Sequence, residues 1–132
     1  MPGINKLVTD TQLAQISAFI ADKTIFTGDV RTAPDAKDVG LKVDGTVEGN
    51  INISEGGVIH IGPGGLVKGS SIEADYVYIE GRVEGKIIAR RAIELTGSSS
   101  VKGEIQYLGD INLHNLAKVR ANVTYTGRDA EN

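Results

Sequence analysis

One short pattern returns along this chain at nearly constant spacing, and that recurrence restricts the fold more than any other feature. The unit reads apolar-x-Gly-x-apolar. It occurs as Phe26-x-Gly28-x-Val30, Val47-x-Gly49-x-Ile51, Val83-x-Gly85-x-Ile87 and Val101-x-Gly103-x-Ile105. Val67-x-Gly69 carries an inserted serine before Ile72, and Val119-x-Ala121-x-Val123 has lost the glycine. The copies step by 21, 20, 16, 18 and 18 residues. A second unit falls between them as Leu41-x-Val43, Ile59-x-Ile61, Val77-x-Ile79, Ile93-x-Leu95 and Ile111-x-Leu113, stepping by 18, 18, 16 and 18.

A sub-period of six runs through the later half, in Val77, Val83, Ala89, Leu95, Val101, Tyr107, Leu113, Val119 and Tyr125. Three sixes make one eighteen-residue step. The physical reading is an all-β solenoid with three short strands per winding. Alternation along each strand sends every second side chain inward. Equal phases then stack into aliphatic ladders, and no winding buries its residues without its neighbours. An antiparallel barrel or sandwich also uses alternating strands and glycine turns, but neither needs the same phase to return at this step. Five to six windings at about 4.8 Å each give a rod roughly 25–30 Å long. A six-residue period also suits left-handed hexapeptide coils, so the handedness stays open at this level.

Composition agrees and narrows the chemistry. The chain of 132 residues has no cysteine or tryptophan and two histidines, so thiolate sites and any three-histidine metal site are excluded. No cofactor is expected. A net charge of −3 provides no general attraction for nucleic acid or anionic lipid. Gly64 and Gly69 have P-loop spacing, but Ser70 stands where the lysine belongs. Arg90-Arg91 reads as a solvated corner pair. Asn52-Ile53-Ser54 and Asn122-Val123-Thr124 match the glycosylation triplet, a match that would be accidental in a cytoplasmic protein.

Before Thr24 the pattern differs. Thr9 and Gln12 fit a capping box, and Leu13, Ile16, Phe19 and Ile20 make an apolar stripe on an expected short helix. The expected organisation is an N-terminal segment 1–24, a β-helix 25–126 and a polar tail 127–132. The helix stripe, with Leu7 and Val8, serves either as a lid on the first winding or as a membrane contact; few basic residues flank it, which favours the lid.

A solenoid exposes unpaired backbone and an apolar cross-section at each end, and such edges template further pairing. The sequence reading places end contacts at Ile25, Phe26 and Val30 in the first winding and at Val119, Val123 and Tyr125 in the last. Stacking through these ends makes an open, one-dimensional polymer.

The stretch from Gly28 to about Tyr125 resembles the bactofilins, the bacterial polymer-forming cytoskeletal proteins. The resemblance is carried by Val47-Glu48-Gly49-Asn50-Ile51, by Val58 to Gly69, by Ile72-Glu73-Ala74 and by Val77 to Ile87. It implies a single-stranded, right-handed, triangular β-helix of about six windings. It implies nucleotide-independent filaments built through the β-helix ends, often at the inner face of the cytoplasmic membrane. The implied partners are further copies of the chain, a cell-wall enzyme or membrane protein, and the membrane surface. The implied role is a non-enzymatic scaffold for cell-shape or cell-wall synthesis machinery. The helical N-terminal segment, and Ala117 and Ala121 in the last winding, depart from the family pattern.

The alternative is a trimeric, left-handed hexapeptide acyltransferase with His114 as base. His60 and His114 both point outward by alternation, and the sequence shows no acidic partner for His114 at a telling position.

Overall fold

The computed structural model describes residues 8–127. Apart from one helical turn, α1 (Asp10–Leu13), the elements are strands of one parallel sheet wound on itself. Winding 1 holds β1 (Ile16–Ile20), β2 (Ile25–Thr27) and β3 (Val30–Arg31). Winding 2 holds β4 (Gly40–Val43), β5 (Thr46–Glu48) and β6 (Ile51–Asn52). Winding 3 is β7 (Val58–Ile61) and the first two thirds of β8 (Leu66–Ile79). The end of β8 opens winding 4, and β9 (Arg82–Leu95) completes it and opens winding 5. β10 (Ser100–Tyr107) closes winding 5, and β11 (Asp110–Leu113) with β12 (Lys118–Tyr125) forms winding 6. Each segment pairs with the same segment of the windings before and after it, so the strands make three stacks.

The register reproduces the sequence periods. In the first stack Leu41, Ile59, Val77, Ile93 and Ile111 are successive partners. In the second, Phe26, Val47, Val67, Val83, Val101 and Val119 are. In the third, Val30, Ile51, Ile72, Ile87, Ile105 and Val123 are. The members of windings 2–5 are buried and form one continuous aliphatic core. Each such side chain contributes roughly 1.5–3 kcal/mol by leaving water.

The short step of 16 residues comes from a short corner: two residues separate Ile79 from Arg82, whereas four separate Ile61 from Leu66 and Leu95 from Ser100. Two bulges between β8 and β9 then cancel and leave that step unchanged. Between Gly69 and Ile72, β8 carries one residue more than β9 does between Gly85 and Ile87. Between Ala74 and Tyr76 it carries one fewer than β9 does between Ala89 and Ala92. The serine insertion is thus one bulge and Arg90-Arg91 is the other, and together they restore the register.

The N-terminal segment departs from the expected helix. The capping box is present: the Thr9 amide donates to Oε1 of Gln12 at 2.8 Å, and the Gln12 amide donates to Oγ1 of Thr9 at 3.3 Å. The helix nevertheless ends at Leu13, and Ile16–Ile20 is a strand paired with β4. Winding 2 offers an edge of unpaired backbone, and β-branched and aromatic residues suit a strand placed on it. The solenoid therefore begins with β1, ahead of the boundary expected at residue 25. Ile20 packs on the core, while Phe19 points outward and is 55% exposed. No helix spanning 9–23 is there to act as a lid or to lie on lipid. α1 instead lies outside the first stack, against β7, with Leu13 half-buried and Val8 fully buried. Leu7 falls outside the described residues.

Candidate assembly surfaces at the two ends

β1, β2 and β3 have partners on one side only, and so do β11 and β12. Their other edges carry backbone donors and acceptors with no strand beside them. The side chains of these terminal layers show the same asymmetry. Val47 is 0% exposed, whereas its partner Phe26 in winding 1 is 37% exposed. Ile105 and Leu95 are 0% exposed, whereas Val123 and Leu113 in winding 6 are 41% and 45% exposed. Val30 and Val119 are half-buried, each covered by one neighbouring winding. The Tyr125 ring lies 5.2 Å from that of Tyr107 of winding 5, tilted by 51°, and Tyr125 remains 44% exposed.

Of the six residues expected at the ends, five occupy the inward phase of a terminal winding. Ile25 does not. It pairs with Thr46 and shares the outward phase with Arg82 and Lys118, so its exposure lies on the side of the rod. Leu113 belongs to the terminal layer and was signalled by its place in the six-residue ladder. Leu116 is 70% exposed in the corner after β11. Its only signal was an apolar residue in an otherwise polar corner.

The polar clusters are structural. Asp75, almost fully buried at a corner, accepts from Nε of Arg90 at 2.6 Å and from the Gly56 amide at 2.8 Å, and pairs with Nε of Arg91 at 3.2 Å. Arg90 also reaches Glu73 at 2.7 Å and donates to the Ile53 carbonyl. Burial acts to lower the Arg90 pKa, but hydrogen bonds and charge attraction from Asp75 and Glu73 outweigh it, and the pKa is raised. The pair read as solvated in the sequence is therefore a clasp between windings; the bulge turns both side chains toward Asp75. His60 and His114 point outward as expected. His60 lies 2.7 Å from Glu80 and edge-on to Tyr78. His114 does have an acidic partner, with Nε2 3.0 Å from Oε2 of Glu94. Glu94 is wholly buried beneath Val8, so this carboxylate is packed into the wall. Among the described residues no cluster of three or more His, Asp or Glu side chains is placed to hold a metal, and no helix is long and apolar enough to cross a membrane.

A family model for bactofilins, described as polymer-forming cytoskeletal, matches residues 18–126. This chain is a member of the bactofilin family. Its match begins inside β1, in agreement with a solenoid that starts before residue 25. The crystal structure of a point mutant of the bactofilin from Thermus thermophilus is similar to it, with a TM-score of 0.62 and 24% identity over 73% of this chain and 97% of that one. That likeness supports the shared fold. No curated protein matches the chain. Bactofilins are a structural, polymer-forming family.

Proposed function

We propose that this bactofilin polymerises end to end, without nucleotide, through the inward-phase layers of windings 1 and 6. The filament then serves as a scaffold on the inner face of the cytoplasmic membrane for cell-shape or cell-wall synthesis enzymes. The supporting observation is that positions buried in windings 2–5 recur uncovered at both ends, as at Phe26, Leu113 and Val123. Stacking a second copy on either layer supplies the missing winding and partners for the free strand edges.

Tyr125→Arg and Phe26→Arg place a charge in these layers. Each is expected to leave circular dichroism unchanged and to reduce filaments to monomers or dimers by sedimentation and negative-stain microscopy. Undiminished filaments in both variants overturn the reading. The acyltransferase alternative requires one closed trimer and activity lost in His114→Ala. The end-to-end reading is favoured over it by the match to a polymer-forming family.

A further inference from the structure

The outward face of the second stack carries charges in register. One column runs Thr27, Glu48, Lys68, Glu84, Lys102, Arg120. From winding 2 to winding 5 its sign alternates, which is the favourable arrangement for directly opposed strand neighbours. At winding 6 the alternation breaks, and Arg120 lies beside Lys102. The neighbouring column adds Arg82 and Lys118, separated by Ser100. Like charges opposed across strands are unfavourable, and here they are grouped around a hollow of about 510 Å³ beside the Gly97–Ser100 corner. Glu84 also lines it, 3.8 Å from Arg82. Among the described residues Lys102, Lys118 and Arg120 form no ion pair with a carboxylate. Four cations and one carboxylate thus face one concavity on a chain whose net charge is −3.

We propose that this hollow binds an acidic segment of a partner protein in extended conformation, with carboxylates at alternate residues. In an extended peptide, side chains two residues apart lie about 6.6 Å from one another on one face. Lys118 and Arg120 have that same spacing along β12. Lys102, one strand separation of about 4.8 Å away, completes a triangle for a second carboxylate. Arginine and lysine clusters recognise acidic motifs by charge-assisted hydrogen bonds. A flat anionic bilayer fits less well, because exposed Glu48 lies on the same face and would meet the headgroups too.

The test uses the full chain and a fluorescein-labelled peptide of alternating glutamate and serine, read by anisotropy at low salt. Lys102→Glu with Arg120→Glu is expected to weaken binding at least tenfold, whereas Lys37→Glu, in the loop after β3, leaves it unchanged. Lys102→Gln with Arg120→Gln gives an intermediate loss and serves where the charge reversal disturbs the fold by circular dichroism. Equal affinity in all variants overturns the proposal. So does displacement of the peptide by inorganic phosphate far more readily than by chloride at matched ionic strength. Cosedimentation with phosphatidylglycerol vesicles that depends on Lys102 and Arg120, with no peptide binding at millimolar concentration, overturns it in favour of lipid. Filament formation is scored separately, so loss of peptide binding with filaments intact isolates this site from the ends.

Discussion

The amide of Val8 donates a hydrogen bond to Oε1 of Glu94 at 3.2 Å, across 86 residues of sequence. Glu94 belongs to the outward phase of the first stack, yet it is 0% exposed because the N-terminal segment crosses over it. Its other oxygen lies 3.0 Å from His114 Nε2 and accepts from Asn112 Nδ2 at 3.5 Å, both in winding 6 or its corner. One carboxylate therefore ties the start of the described chain to the last winding. The N-terminal segment runs from this point back along the rod to winding 1, and Gln15 donates to the Gly56 carbonyl on the way.

Removing that carboxylate should loosen both attachments. Glu94→Ala leaves the Val8 amide without its acceptor and a void beneath it, at a cost of about 2–4 kcal/mol. Glu94→Gln, which keeps one acceptor, should cost less. Urea midpoints measure the difference. Hydrogen exchange should quicken at Val8 and in β11 well before it does in β7.

The two kinds of ladder position should respond differently to truncation. Ile93→Ala, at a fully buried site, is expected to cost about 2–5 kcal/mol in thermal or chemical unfolding. Val123→Ala, in the terminal layer, should cost the protomer under about 1.5 kcal/mol, because part of that side chain is already in water. Its larger effect should be a higher concentration threshold for filament growth, read by light scattering.

Gly28 and Gly103 separate backbone conformation from crowding. Their φ angles are +135° and +136°, so alanine is strained at both. A Cβ at Gly103 would also collide with the Gly85 carbonyl of the winding before it. At Gly28, which has no winding before it, the Cβ meets only the Phe26 ring at 3.8 Å. Gly28→Ala should cost about 1–3 kcal/mol and Gly103→Ala several kcal/mol more, compared by unfolding midpoints.

Asp75→Asn keeps the shape of the corner clasp and removes the charge that holds Arg90 and Arg91. A loss of about 1–3 kcal/mol is expected, since Arg90 is only partly shielded from water. The raised Arg90 pKa sets the sign of any pH effect. Its contribution is fully present below the unfolded arginine value and is lost only as pH rises through the still higher folded one. Native protein should thus show no stability loss from this arginine between pH 7 and 10 in unfolding titrations.

The periods of 18 and six determined the solenoid, its inward residues and the character of its two ends. Parallel, in-register stacking brings each residue onto its own phase one winding later, so a spatial ladder is written directly as spacing along the chain. Phe26, Val123 and Tyr125 were legible as end residues for that reason, and Leu113 by the same ladder. Tertiary structure decided what does not repeat. Ile16–Ile20 has apolar spacing that suits a helix, and only the open edge of β4 makes it a strand. Arg90 and Arg91 form a clasp because a bulge offsets the serine insertion in the neighbouring winding. Val8 and Glu94 meet across the outside of the rod, where no period relates one to the other and where burial is set by which segment happens to lie on top.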